Sequence, residues 1–221
     1  MKMKDYPILK IFEQNKNDEA APKMAAYMKN KFEFLGINAP TRKYFQKEFI
    51  REKSKSKSID WDFVFTCFDM PQREFQYLAI DYLILMKKWV QKVDIEKLET
   101  LIQTKSWWDS VDGLDEIVGT LAQKYPELVD SHIRKWMVNS NIWLVRVSIN
   151  FQLQFKSKTD VKLLSEAIVA NFGSKEFFIN KAIGWSLREY AKTDKVWVID
   201  FLENHQKQLH SLSIREAKKH F

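Results

Sequence analysis

The chain has 221 residues, 45% of them hydrophobic and 29% charged, with a formal net charge of +7. It is too apolar for a disordered chain and long enough for one sizeable core or two small ones. Five glycines and five prolines are too few for a Gly-rich nucleotide-binding fold or an all-β sandwich, whose hairpins need residues that tolerate positive φ. The excess of Lys and Arg favours a polyanionic partner, because each cation that neutralises a phosphate releases counterions.

The single cysteine, Cys67, excludes a disulfide framework and a metal site built from several cysteines. It lies among apolar residues, so we expect a small buried side chain rather than a nucleophile. No stretch approaches the ~18 apolar residues of a membrane span, and residues 1–6 lead into no signal-peptide core. We therefore expect a soluble, cytoplasmic protein with no membrane partner.

Apolar residues recur at helical spacing along most of the chain. The first such pattern predicts a helix from Met24 to Leu35, with Gly36 as its C-cap. Further stripes predict helices that include residues 75–86, 117–125, 144–155 and 179–190. No segment alternates strictly between apolar and polar residues over the length of a strand. The sequence therefore predicts an all-α fold.

Residues 51–58 interrupt this pattern, because they are polar and basic and contain no apolar anchor. We expect a flexible loop, either a solvated linker or a loop that touches phosphate.

Tryptophans mark a loose internal period. Trp107 and Trp108, Trp143 and Trp185 follow one another at intervals of roughly 35 to 45 residues, close to the repeat length of HEAT and armadillo helix pairs. The period predicts an α-solenoid of about six HEAT-like helix pairs in a single domain, residues 1–221, with a concave basic face built from the second helix of each pair. A four- or five-helix bundle is the alternative.

The segment from Ser106 to Asp112 is the first candidate site. On a helix, Trp108 and Asp112 stand at i and i+4, so an indole and a carboxylate project to the same side. The tryptophans could be core residues, with Asp109 or Asp112 capping a helix. Alternatively, the pair forms an aromatic platform beside an anion, which suits a developing cation.

The second candidate lies at residues 139–150. Here Trp143, Arg146 and Asn150 share a helical face opposite the apolar stripe that begins at Leu144. An arginine on that face could simply be solvated. Because it follows an indole by one turn, it could also be stacked and directed at a phosphate.

The third candidate lies at residues 175–190, where Trp185 and Arg188 flank an apolar stripe. Gly184 inside this helix costs about 1 kcal/mol relative to Ala, so we expect that close packing or access requires it.

These three segments resemble the AlkD-type DNA alkylation repair enzymes, alkylpurine DNA glycosylases built of HEAT-like repeats. The resemblance covers nearly the whole chain and includes the segments 24–30, 34–37, 73–76 and 215–217. It implies a face that holds duplex DNA around a damaged nucleotide, in a monomer without a cofactor. It also implies that the damaged base need not be flipped into a pocket, in contrast to most glycosylases.

By this resemblance Asp112, Trp108 and Trp185 are the catalytic residues. The indoles would lie against the deoxyribose, and the carboxylate would sit near its anomeric carbon. We assign DNA contacts to four further residues: Tyr27, Lys43, Arg146 and Arg188. Between Trp143 and Arg146 the chain has Val145, where a polar or basic residue is common in relatives, and we expect the loss of one DNA-facing contact there.

The implied chemistry needs no metal. A purine alkylated at N3 or N7 is cationic, so it leaves as a neutral base without a general acid. Positive charge develops on the sugar instead, as in glycoside hydrolysis, and a carboxylate with two indole faces stabilises it. The four histidines show no paired metal-ligand spacing: His132, His205, His210 and His220.

Two other functions remain open from the sequence. The chain could be a catalytically silent HEAT-like protein that binds unusual DNA structures. It could also be a protein-interaction solenoid whose basic face is incidental.

Overall fold

The computed structural model describes residues 6–219. These residues form helices and turns without a β-strand, apart from one isolated bridge between Glu33 and Gln72. The predicted all-α, helical-repeat fold class is confirmed. The chain divides into two compact units, Met1–Val90 and Gln91–Phe221. Their union in one domain stays a prediction.

The first unit contains five α-helices among its described residues. They are α1 (Pro7–Gln14), α2 (Ala21–Tyr27), α3 (Ala39–Ser54), α4 (Trp61–Asp69) and α5 (Arg73–Met86). The predicted stripe on α5 is confirmed, since Phe75, Leu78 and Leu83 are fully buried. Helix α4 packs against α5 and contributes Cys67, which is buried as expected.

The predicted helix over residues 24–35 is wrong beyond the end of α2. The backbone amides of residues 35–37 instead donate to the buried carboxylate of Glu74, at 2.8 to 3.1 Å. Gly36 has a φ of +86°, and a Cβ there would lie 2.1 Å from the carbonyl oxygen of Asn17. Glycine is therefore required in a loop that Glu74 holds, and not as the C-cap of a helix.

The predicted loop at residues 51–58 is wrong in its first half, because α3 continues to Ser54. Ion pairs at i,i+3 spacing, Glu48 with Arg51 and Glu52 with Lys55, support the helix here. Turn residues follow up to residue 58.

The second unit contains eight α-helices among its described residues. They are α6 (Ile95–Gln103), α7 (Trp108–Lys124), α8 (Arg134–Trp136), α9 (Ile142–Asn150), α10 (Val161–Val169), α11 (Phe177–Tyr190), α12 (Lys195–Asn204) and α13 (Ser211–Ala217). A π-helical turn, Val129–Ile133, leads directly into α8. Helix α7 packs against α9, α9 against α11, and α11 against α13.

These four helices form a regular series. They begin at Trp108, Ile142, Phe177 and Ser211, at intervals of 34 or 35 residues, at the short end of the predicted period. Two glycines allow close approach within the series. A Cβ at Gly119 would lie 2.2 Å from a carbonyl oxygen beyond α9, and one at Gly184 would lie 2.4 Å from the Cβ of Glu216 on α13. The expectation that close packing requires Gly184 is confirmed.

Helix α9 is buried on all sides, which corrects two expectations. Trp143, Arg146 and Asn150 are only 9%, 4% and 0% exposed, so they do not form a solvent-facing surface. Val145 is 3% exposed, so this position does not face outward. The reason is that α9 packs against α7 and α11 and also against α6, α8 and α10. The helix itself is shorter than its stripe and ends at Asn150.

No helix within residues 6–219 combines the length and the apolar composition that a membrane crossing requires.

Candidate functional site

A cavity of about 280 Å³ opens where the series α7, α9, α11 and α13 presents its side chains. Its lining residues are Trp108, Asp112, Arg146, Phe177, Phe178, Lys181, Trp185, Arg188 and Glu216. The structure therefore brings together all three predicted catalytic residues and two of the predicted DNA contacts, Arg146 and Arg188. Each helix of the series contributes at least one of these side chains.

The two tryptophans of the Trp107–Trp108 dipeptide have different surroundings. Trp108 begins α7 and lines the cavity, one helical turn before Asp112. Trp107 precedes the helix, and its ring contacts Trp143 at 5.7 Å and Phe178 at 4.8 Å between centroids. Trp107 is thus part of an aromatic cluster, and Trp108 lines the cavity.

Arg146 holds Asp112 by a two-pronged ion pair. Its Nε donates to Oδ1 of Asp112 at 2.7 Å, and its Nη2 donates to Oδ2 at 3.0 Å. Its Nη1 donates to the backbone carbonyl of Phe178 at 2.8 Å. The Arg146 side chain is 5% exposed, compared with 21% for Asp112. Such a bidentate, charge-assisted pair fixes the plane of the carboxylate.

Opposing effects act on the pKa of Asp112. Burial raises the pKa, the hydrogen bonds and the charge of Arg146 lower it, and the neighbouring charge of Asp109 raises it. The net shift is upward, so the carboxylate is more basic than an exposed aspartate.

Trp185 lies beside the same guanidinium. The Arg146 carbon Cζ is 5.8 Å from the centroid of the Trp185 ring, within the range of a cation–π contact. The cavity therefore places two indoles beside the carboxylate of Asp112, whose plane the buried arginine fixes.

A basic cluster lines the same cavity. Glu216 Oε2 forms ion pairs with Lys181 at 3.0 Å, Arg188 at 3.1 Å and Lys219 at 2.9 Å. Burial raises the pKa of Glu216, but the hydrogen bonds and charges of Lys219 and Lys181 outweigh it and lower the pKa to about 2. Because one carboxylate meets three cations, the cluster has a surplus of positive charge, as a phosphate site requires.

Tyr27 and Lys43 belong to the first unit. Tyr27 is the last residue of α2 and is 71% exposed. Lys43 is exposed on the first turns of α3. The N-terminus of α3 is capped by Asn38, whose side chain accepts from the amide of Thr41 at 3.0 Å.

Sequence reasoning missed four residues of the cavity: Phe177, Phe178, Lys181 and Glu216. Phe178 and Lys181 lie on α11 within the segment that contains Trp185, and their helical spacing from it was a usable signal. Glu216 lies on another helix, and nothing in its local sequence indicates that it collects three cations.

No group of three or more His, Cys, Asp or Glu side chains within residues 6–219 has an arrangement that could hold a metal ion. His220 lies outside the described residues.

Comparison with known proteins identifies the family. Residues 8–221 match the family described as DNA alkylation repair enzyme. The chain is similar to the solved structure of a "Predicted DNA alkylation repair enzyme from Enterococcus faecalis", with 33% identity and a TM-score of 0.84, over 93% of this chain and 96% of that one. No protein with a curated description matches the chain. With the family matched over nearly its whole length, the chain belongs to the DNA alkylation repair enzymes.

Proposed function

We propose that this protein is a DNA glycosylase that hydrolyses the N-glycosidic bond of cationic N3- and N7-alkylated purines in duplex DNA. The observation that carries the proposal is the Asp112 carboxylate, which Arg146 fixes in an open cavity lined by the indoles of Trp108 and Trp185. Membership in a DNA alkylation repair family supports it.

The proposed reaction follows from the charges in the cavity. The alkylated base departs with the electron pair of the glycosidic bond and becomes neutral. The sugar becomes an oxocarbenium-like cation, which the carboxylate of Asp112 and the indole faces stabilise. Water then attacks the anomeric carbon, and the raised pKa of Asp112 suits it to accept the proton. A neutral lesion, whose base is a poor leaving group, would not be excised.

Arg146 acts in this proposal as a positioning residue. A direct contact with phosphate would require its guanidinium to leave both Asp112 and the Phe178 carbonyl, and its side chain is 5% exposed. Tyr27, Lys43 and Arg188 remain the proposed DNA contacts, and Lys181 joins them because it lines the cavity with Arg188. We further propose that the chain works as a cytoplasmic monomer without a metal or cofactor, and without an obligatory base-flipping pocket.

The test is single-turnover release of 7-methylguanine from methylated duplex DNA. Asp112→Asn keeps the shape of the side chain but removes its charge, so we expect a loss of roughly a hundred- to a thousandfold in rate, about 2.7–4 kcal/mol. Duplex affinity should be retained, because an anion has been removed from a surface that faces phosphates. Asp200→Asn, an exposed change on α12, is the control and should excise at the wild-type rate.

A specific observation favours a second candidate, a DNA-binding protein without catalytic activity. The charge of Asp112 is already matched by the bidentate Arg146, which reduces the field that a sugar cation would experience. In that case the wild type would bind the methylated duplex and release no base. Excision by Asp112→Asn at the wild-type rate would refute the role of the carboxylate directly.

A further inference from the structure

Asp115 is a second buried carboxyl, one helical turn after Asp112 on α7. It is 3% exposed, and neither of its carboxyl oxygens has a hydrogen-bond partner among residues 6–219. The amide nitrogen of Asn150 on α9 is also buried and unpaired there, whereas the Asn150 oxygen accepts from Ser186. Buried polar groups in native proteins are nearly always satisfied, so groups left unpaired by the protein indicate a functional or solvent-filled position.

The side chain of Asp115 lines a second cavity, of about 150 Å³. This cavity shares two residues with the site, Asp112 and Trp185, and continues past Glu116 and Glu189. Both glutamates are partly exposed, so the cavity connects the catalytic carboxylate with solvent. A polar space of this volume can hold several water molecules, each of which needs two to four polar partners.

Arg146 pairs with Asp112, and its charge also acts on the carboxyl of Asp115. The charged groups that face Asp115 come from three helices: Asp112 and Glu116 on α7, Arg146 on α9, and Glu189 on α11, which is itself paired with Lys192. Burial raises the pKa of Asp115 well above its usual range, and the charge of Asp112 raises it further. The charge of Arg146 acts in the opposite direction without outweighing burial.

We propose that Asp115 is a positioning residue that acts as a neutral carboxylic acid, leaving Arg146 to pair with Asp112 alone and anchoring water in the second cavity. The inference rests on the proposed glycosylase function. As a neutral acid, Asp115 offers one donor and one acceptor to water, which an aspartate anion does not. The second cavity then supplies water to Asp112 while DNA covers the first.

The proposed step conserves atoms and electrons. The bond between the anomeric carbon and the purine nitrogen breaks, and its electron pair neutralises the cationic base. A water oxygen forms the new bond to the anomeric carbon. The proton that this water loses goes to Asp112, and from there through the water of the second cavity to Glu116 or Glu189 and to solvent.

Two substitutions separate a neutral acid from a charged one and from a packing residue. Asp115→Asn keeps a donor and an acceptor and cannot ionise, so excision of 7-methylguanine should fall much less than in a variant that cannot hold water. Asp115→Leu fills the space but cannot hold water, so excision should fall by roughly a hundredfold with duplex affinity unchanged. If Asp115 only packed the helices, the Asn and Leu variants would differ in stability or duplex affinity as well. A difference confined to the excision rate therefore indicates a role in the reaction.

The pH profile gives an independent signature. As pH rises well above the usual range of an aspartate, wild-type excision should decline because Asp115 ionises and competes for Arg146, and Asp115→Asn should lack this decline. Identical profiles for the wild type and Asp115→Asn would overturn the proposal, as would an Asn variant that loses as much activity as the Leu variant.

Stability separates this inference from the proposed function. Because the pKa of Asp115 is higher in the folded than in the unfolded chain, the folded chain holds its proton more tightly, and the contribution of Asp115 to the free energy of unfolding falls as pH rises above about 4. Asp115→Asn removes that fall, so its stability relative to the wild type should increase with pH in urea titrations, whereas Asp200→Asn should run parallel to the wild type. If the wild type excised no base, the proposed glycosylase function would be refuted. The urea titrations would still show whether Asp115 is protonated in the folded chain. A flat stability difference would refute the neutral acid, even in an active enzyme.

Discussion

Arg146 commits its guanidinium to partners on two different helices, Asp112 on α7 and the Phe178 carbonyl on α11. The same residue therefore orients the carboxylate of Asp112 and ties three helices of the series together. A buried ion pair adds little stability relative to apolar residues, but removal of one partner leaves the other charge buried and uncompensated. This asymmetry makes the pair testable by unfolding alone.

We expect Arg146→Met to lower the free energy of unfolding by about 3–5 kcal/mol. Arg134→Met is the control, because Arg134 pairs with Asp130 and Glu166 at the surface and should contribute less than about 1 kcal/mol. Urea denaturation measures both. Adding Asp112→Asn to Arg146→Met should recover part of the loss, since the orphaned charge is then gone. If Arg146→Met and Arg134→Met lowered the free energy of unfolding equally, the Arg146–Asp112 pair would contribute no more than a pair at the surface.

At the scale of the element, α11 combines site residues with close packing. Phe178, Lys181 and Trp185 line the cavity, and Gly184 lies against α13, where a Cβ would be 2.4 Å from the Cβ of Glu216 and 2.7 Å from the carbonyl oxygen of Ser213. The position of Glu216, and through it the basic cluster, depends on this contact between two helices.

Gly184→Ala should destabilise the protein, even though Ala favours an isolated helix by about 1 kcal/mol. The new methyl group would force α11 and α13 apart, and overpacking of this kind costs about 1–3 kcal/mol. Gly119→Ala should behave in the same way, because its Cβ would meet a carbonyl oxygen at 2.2 Å. Thermal unfolding measures both changes. A raised melting temperature for either variant would mean that the helices can move apart without a loss of stability.

The same elements define what the sequence can predict. The stripes on α5, α7 and α11 are local patterns, so their helices were predictable with small errors at the ends. The loop at Gly36 was not, because the carboxylate that holds it belongs to Glu74, 38 residues away. The burial of Arg146 was not predictable either. The apolar stripe on α9 predicts that one face is buried, but it does not indicate that other helices cover the opposite face as well. The resemblance supplied residues for the cavity, but not the partner of Arg146.

At the scale of the whole molecule, the net charge of +7 makes any duplex binding electrostatic in large part. Affinity should fall linearly with salt on a logarithmic plot, with a slope of about 0.9 for each phosphate neutralised. We expect Lys43→Ala to reduce that slope by about one such unit. Fluorescence anisotropy with a labelled duplex at several salt concentrations measures it. Lys207→Ala, also exposed, is the control, and an unchanged slope for Lys43→Ala would remove this residue from the contact set.

The burial of Cys67 determines how the folded chain responds to electrophiles. Methylating agents and oxidants attack the thiolate form of cysteine most readily. Cys67 is the one thiol in the sequence, it is 0% exposed on α4, and burial raises its pKa. A protein of an alkylation repair family meets the agents that damage its substrate. While it stays folded, this chain offers them no exposed thiolate, so such agents find no reactive cysteine on the folded protein.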